Sequence, residues 1–264
     1  LAPDTIRFYK AYVGQWETAR AAAPEGQDPV MTLRSLLSTK TSTTGRSAFA
    51  AIRAYEFWIE EQTGERSWLR KCRRWKFDPA PEVQPLSEAE FTQILFQCKR
   101  SSASDRRDRI LFTILWATGA RLGAVVGLRR EDVDLENRTL RVHTKGNVQA
   151  PIVLPDGCAA VLGKWMEQNP SASGGWLFPA PLDDSRHISD SWVSHRFHKL
   201  AKQAGITRRV WVHLLRHSFA TRMLNKGVSI TSVQRQLCHS TIHMTLRYGK
   251  TSLARVDEEM RAAG

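Results

Sequence analysis

His213-Leu-Leu-Arg216-His217, followed downstream by Cys238-His239 and then by Tyr248, is the stretch that decides how the rest of the chain is read. Arg216 offers a planar fork of donors matched to two phosphate oxygens, His213 and His239 titrate near neutrality, and Tyr248 carries a hydroxyl able to attack phosphorus. His213 and Arg216 are three residues apart, so on a helix they share one face and can converge on a single group. The combination points to phosphoryl transfer.

Taken singly, none of these residues carries that reading, because a tyrosine on an amphipathic helix usually packs and a lone histidine usually serves structure. Order and spacing carry it. Upstream, Arg121 follows Thr118-Gly119-Ala120 and Lys145 lies in a Lys-Gly-Asn turn; downstream, eight residues separate His239 from Tyr248. This ordered set resembles the tyrosine recombinase, or phage integrase, family, and the resemblance covers almost the whole chain.

The resemblance implies a mainly α fold with a small β-sheet (α+β), built as a helical core-binding domain over 1–76, a linker over 77–86 and a catalytic domain over 87–264. It makes Tyr248 the nucleophile, Arg121 and Arg216 the phosphate clamp, and Lys145, His213 and His239 the proton-handling and hydrogen-bonding groups. It also implies cleavage of one DNA strand through a 3′-phosphotyrosyl bond with release of a 5′-hydroxyl. The expected partner is double-stranded DNA, and the expected assembly is a homotetramer when two sites are synapsed, with an accessory DNA-bending protein as a further candidate partner. No cofactor, no metal and no membrane partner are expected, and a cytoplasmic, nucleoid-associated location follows. Two alternatives stay open: a type IB topoisomerase, and a DNA-binding protein of this fold with weakened cleavage.

The chemistry of the residues agrees with these roles. A phenol has a pKa of about 10, so only about one in a thousand is ionised at pH 7, and attack needs a base or a cationic field. Two arginines and the histidines supply both. A lysine on a hairpin can protonate a leaving 5′-oxygen. Of the four tyrosines, at positions 9, 12, 55 and 248, only Tyr248 lies in the C-terminal part. No acidic cluster of the kind that holds two metals stands out. Two positions depart from the family pattern: Ala124 replaces the acid that usually supports the first arginine, so that Arg121 is either oriented by another partner, Glu131 or Asp132, or held less firmly, and Cys238 replaces a glycine. A left-handed backbone at Cys238 would cost about 1 to 2 kcal/mol.

Composition is consistent with a polyanionic partner. The 264 residues carry 39 Lys plus Arg against 26 Asp plus Glu, a net charge of +13. The basic run Trp68-Leu-Arg70-Lys71-Cys-Arg73-Arg74-Trp75-Lys76 is the candidate for DNA contact outside the catalytic part. The four cysteines, Cys72, Cys98, Cys158 and Cys238, are scattered without a C-x-x-C pair, so reduced thiols are expected. The most apolar run, Ile110 to Ala117, is far shorter than the roughly 20 residues of a membrane span.

Periodicity predicts the elements in order. An apolar stripe of Ile6, Tyr9, Val13 and Trp16 opens a helical bundle, continued by Met31, Leu33, Leu36 and Leu37 and by Ala48, Ile52, Tyr55 and Ile59, ending near Gly64. Pro79, Pro81 and Pro85 mark the linker. Ser87-Glu-Ala-Glu90 reads as a capping box, and Arg106 to Ala117 as a central apolar helix. Strands are predicted at 139–143 and 148–154 around the Lys145 turn, with another at Trp176-Leu-Phe178 inside a long loop. Helices follow at 156–168, 192–204, 213–225, 230–237 and 242–248, and a tail helix over 252–263 carries Leu253, Val256 and Met260 as an apolar stripe.

Overall fold

Local capping signals place the helices of the N-terminal part. The computed structural model describes residues 3–72, 83–99, 102–143, 148–169, 175–246 and 261, and the chain divides into two units, Leu1–Val83 and Gln84–Gly264. In the first unit, helix α1 spans Pro3–Ala21, α2 spans Pro29–Ser38 and α3 spans Ser42–Thr63. The Asp28 carboxylate accepts from the Val30 amide to start α2, Thr41 caps α3, and Gly64 ends α3 in the left-handed region at φ 73°. Trp16, Leu33, Leu37, Ala48, Ala51, Ile52 and Leu69 form the core.

The stripe predicted for α1 is shifted in the fold. Tyr12 and Trp16, one turn apart, face the core, whereas Ile6 remains 42% exposed. The buried Glu56 carboxylate explains part of this, because it accepts from Trp16 Nε1 at 2.6 Å and from Trp68 Nε1 at 2.8 Å. A carboxylate inside an apolar bundle needs such donors, and two indoles supply them.

The second unit contains α4 (Glu88–Phe96), α5 (Ala103–Thr118), α6 (Leu122–Val126), α7 (Asp156–Gln168), α8 (Asp190–Gln203), α9 (His213–Asn225), α10 (Ile230–Gln236) and α11 (Ile242–Leu246). Strands β1 (Val133–Asp134), β2 (Thr139–His143) and β3 (Gln149–Val153) make an antiparallel sheet in the order β1-β2-β3, and β4 (Pro179–Ala180) pairs with β5 (Asp183–His187). The fold is mainly α with small antiparallel sheets. The capping box is present at Ser87 and Glu90. The end of the expected linker, 84–86, belongs to this unit: Arg208 donates to the Gln84 and Pro85 carbonyls at 3.0 Å each, and the buried Leu86 donates its amide to Ser218 Oγ at 2.7 Å.

Helix α5 runs through the core with Ile110, Leu111, Phe112, Ile114 and Leu115 buried. Its first turns also bury charge. Arg196 on α8 donates to Asp105 and, at 2.9 Å, to Asp108, whose other oxygen takes Arg107 at 2.9 Å. The strand predicted at Trp176-Leu-Phe178 is not formed there. Leu177 and Phe178 are both buried, so they anchor the loop rather than alternate across a strand, and Trp176 makes only a single bridge to Arg129. The paired segments lie just beyond, in β4 and β5. Among the described residues, no helix is long and apolar enough to cross a membrane.

Candidate active site

The site is built where three helix ends meet. Helix α5 stops at Gly119, left-handed at φ 67°, and a Cβ there would lie 2.4 Å from the Phe219 ring and 2.7 Å from Leu237. Only glycine allows α9 and α10 to approach the end of α5 so closely. The chain then turns through Ala120 into Arg121, at the start of α6. Arg121 is half-buried and shares a small cleft with Ala124, His143, Arg216, Gln236 and Cys238.

Arg216 lies on the second turn of α9, one turn after His213, and only 3% of it is exposed. Its Nη1 donates to the Gly119 carbonyl at 2.8 Å and its Nη2 to the Leu237 carbonyl at 2.7 Å. These are C-terminal carbonyls of α5 and α10, groups that a helix leaves without partners. Arg216 therefore has a structural task as well as a chemical one: its fork is oriented by backbone and cannot swing away from the cleft.

Helix α10 ends in a Schellman turn. The Cys238 amide donates to the Arg235 carbonyl at 3.0 Å and the His239 amide to the Gln234 carbonyl at 3.1 Å, with Cys238 at φ 49°. The backbone at Cys238 is thus left-handed, the condition under which a residue bearing a Cβ costs about 1 to 2 kcal/mol. The turn sends His239 inward, where it is 7% exposed and its Nδ1 lies 2.8 Å from the hydroxyl of fully buried Thr245.

Both histidines are held neutral. Burial, then the guanidiniums of Arg216 and Arg121, lower the pKa of His239 to about 4. The same causes in the same order lower that of His213, although its surface is exposed by area; crowding on its protein side and the adjacent cations outweigh that opening. Cys98 and Cys158, buried elsewhere, have thiols pushed up to about 12 and are poor nucleophiles.

The depressed His239 pKa makes stability depend on pH. In the unfolded chain this imidazole titrates near its ordinary value of about 6.5, so between there and about 4 the unfolded state binds more protons than the folded one. Stability conferred by the neutral ring is complete above that window and is lost as pH falls through it. The expected loss is on the order of 2 to 3 kcal/mol between pH 7.5 and 4. Urea unfolding of the wild type and His239→Gln at both pH values checks this, and an equal acid loss in the two proteins would contradict it.

The other sequence-predicted residues fall as follows. Lys145 and Tyr248 lie outside the described residues, as does the tail over 252–260. The Lys145 segment joins β2 to β3, and His143, the last residue of β2, lines the cleft. Arg70 is described, and its Nε donates to both Glu60 oxygens, at 2.8 and 2.9 Å. Arg73, Arg74 and Lys76 lie outside the described residues, and the Lys71 side chain likewise. Asp132 does not orient Arg121: it accepts from the Arg129 amide at 2.8 Å and faces Arg141 at 3.9 Å. Sequence reasoning missed Thr245 and Gln236, since neither type nor spacing distinguishes them from ordinary helix residues.

Residues 84–255 match the family model described as the phage integrase family. The tyrosine recombinase XerD of Yersinia pestis is 28% identical, the match spanning 97% of this chain and 89% of that protein. XerD of Pseudomonas putida is 31% identical over 67% of this chain and 61% of its own length. In fold, the chain is similar to the XerH site-specific recombinase bound to its difH substrate, with a TM-score of 0.72 at 22% identity over 97% of this chain and 78% of that one. It is also similar to the Tn1549 transposon integrase in complex with transposon right end DNA, with a TM-score of 0.78 at 19% identity over 100% of this chain and 95% of that one. Of the alternatives that the sequence leaves open, recombination is the activity these relatives share. The chain belongs to the phage integrase family and is a tyrosine recombinase, a site-specific strand transferase.

Proposed function

We propose that the chain cuts and rejoins double-stranded DNA at specific sites, with Arg121, Lys145, His213, Arg216, His239 and Tyr248 as the reacting set. The Tyr248 oxygen attacks the scissile phosphorus, the O–P bond forms, and the phenolic proton passes to one of the neutral imidazoles, His213 or His239. The bond from phosphorus to the 5′-oxygen breaks, and that oxygen takes a proton from the Lys145 ammonium. The products are a 3′-phosphotyrosyl link and a 5′-hydroxyl, and rejoining is the reverse. Arg216 and Arg121 meet the charge that develops on the non-bridging oxygens, where each preorganised donor is typically worth about 3 to 4 kcal/mol.

The observation that carries this reading is the clamping of Arg216 between the Gly119 and Leu237 carbonyls, with Arg121 in the same cleft and two neutral histidines beside them. Two neighbouring cations that depress nearby imidazoles form a field ready for an anion. A phosphate entering the cleft offsets that field and raises the proton affinity of both histidines when a base is needed. DNA as the partner is supported by the net charge of +13 and by the DNA or substrate complexes named for the similar recombinases. Residues 1–76 act as the core-binding domain, with Lys71, Arg73, Arg74 and Lys76 on phosphates, while Arg70 is first a partner of Glu60. Protomers form a tetramer on paired sites, with the tail after Tyr248 passed between them.

Cations take the place that a metal would have, so strand cleavage is expected to persist in EDTA. The test is single-turnover capture of protein on a nicked suicide substrate, separated on a denaturing gel with and without EDTA. A covalent band in both supports the reading. Loss in EDTA with recovery on added Mg²⁺ overturns the metal-free reaction, and no band under either condition favours a binding protein with weakened cleavage.

A further inference from the structure

Among the described residues strand β3 has β2 on one side only, so the amide and carbonyl of Val153 point away from the sheet along its outer edge. The side chain of Gln236, the last residue of α10, occupies that edge. Its Oε1 accepts from the Val153 amide at 2.9 Å and its Nε2 donates to the Val153 carbonyl at 2.9 Å, pairing as one residue of a neighbouring strand would. The same Nε2 lies 3.2 Å from the Thr118 carbonyl at the end of α5. Gln236 thus touches the hairpin, the end of α5 and its own helix end.

Those contacts adjoin the Arg216 anchor. Thr118 precedes Gly119 and Gln236 precedes Leu237, and the carbonyls of Gly119 and Leu237 are the two that hold Arg216. Three residues after Gln236 comes His239. The segment connecting β2 to β3 contains Lys145; β2 is also held by β1 and by buried Leu140 and Val142, and β3 by buried Ile152, while Gln236 ties the outer edge of β3. A general acid must sit within hydrogen-bond reach of the leaving oxygen, and a displacement of about 1 Å at such a group can cost on the order of 100-fold in rate.

We propose that Gln236 is a positioning residue for proton delivery: its amide pairs with the β3 edge and holds the hairpin that carries Lys145 in register with the Arg216 and His239 turn. This rests on the reading of Lys145 as the general acid. Gln236 itself touches no reacting atom. Breaking its pairing lets the hairpin shift against the cleft while leaving the nucleophile and the phosphate clamp in place.

The experiment compares single-turnover cleavage of ordinary DNA with cleavage of a substrate whose scissile 5′-oxygen is replaced by sulfur. A thiol, with a pKa near 8.5, leaves as thiolate and needs no proton, so a defect in proton delivery disappears on that substrate. Gln236→Ala is expected to slow ordinary cleavage about 10- to 100-fold at DNA affinity within a few-fold of wild type, and to recover to within a few-fold on the sulfur substrate. Gln236→Glu keeps the acceptor for the Val153 amide but loses both donor contacts, and is expected to behave alike. Lys145→Ala, run beside them, tests the underlying reading. If Lys145→Ala is rescued and the Gln236 variants are unslowed, or slowed without rescue as a folding defect would be, the coupling is wrong and the reading stands. If Lys145→Ala is not rescued, Lys145 is not the acid and the proposal falls with it.

Discussion

Tyr248→Phe is expected to abolish covalent attachment to DNA while leaving affinity within a few-fold. The change removes one oxygen from the chain's only tyrosine in the catalytic unit and keeps the ring. The phosphate clamp and the second histidine have anchors of their own: Arg216 is held by backbone carbonyls, and His239 pairs with Thr245. Ground-state binding should therefore persist while the transition state loses its nucleophile, with residual strand transfer below about 10⁻³ of wild type. Incubation on a nicked suicide substrate followed by denaturing electrophoresis reads the link, and a native gel reads affinity. A covalent band of undiminished intensity in the variant would remove Tyr248 from the reaction and leave the chemistry without an attacking group.

The second large effect separates the two arginines. Arg216→Lys replaces a planar fork with a single nitrogen, so the aligned pair of bonds to the Gly119 and Leu237 oxygens, one from each Nη, is lost and at least one acceptor inside the protein is left poorly satisfied. An unsatisfied buried acceptor costs about 1 to 3 kcal/mol, and the loss of an aimed donor at the phosphate lowers cleavage by about 10²- to 10³-fold. Both stability and rate should fall. Arg121 has no carboxylate partner among the described residues and lies half-buried at a helix start, so Arg121→Lys should lower cleavage comparably with a stability change near zero. Urea midpoints and single-turnover rates for both variants check the contrast. Equal destabilisation by the two would show that the carbonyl contacts of Arg216 are not what fixes the cleft.

Much of the architecture follows from short-range rules. Helix α7 at Asp156–Gln168 and α9 at His213–Asn225 begin and end where periodicity and breakers place them, and the Ser87–Glu90 box and Gly64 act within one turn of chain. The strand predicted at 176–178 was misread because two consecutive buried apolar residues can anchor a loop as readily as start a strand. The short β1 went unpredicted because two residues carry no period, and it forms only because β2 offers an edge. Likewise, nothing local marks Asp105, Arg107 and Asp108 as buried: Arg196, 88 residues after Asp108, meets the two carboxylates inside.

The candidate site divides along the same line. Chemistry prescribes residue types, and the ordered set that resembles the family picks out which arginines, histidines, lysine and tyrosine to consider; the glycine usual in that family at the position of Cys238 is what flags the cost of a left-handed backbone there. What holds them in place comes from the folded chain, through partners far off in sequence. The acceptors of Arg216 are 97 and 21 residues away, His239 owes its neutrality to burial beside two guanidiniums, and Gln236 reaches the β3 edge across 83 residues. The partners of Arg216 and Gln236 are backbone atoms, which every residue carries alike, so no pattern of side chains marks them before the chain has folded.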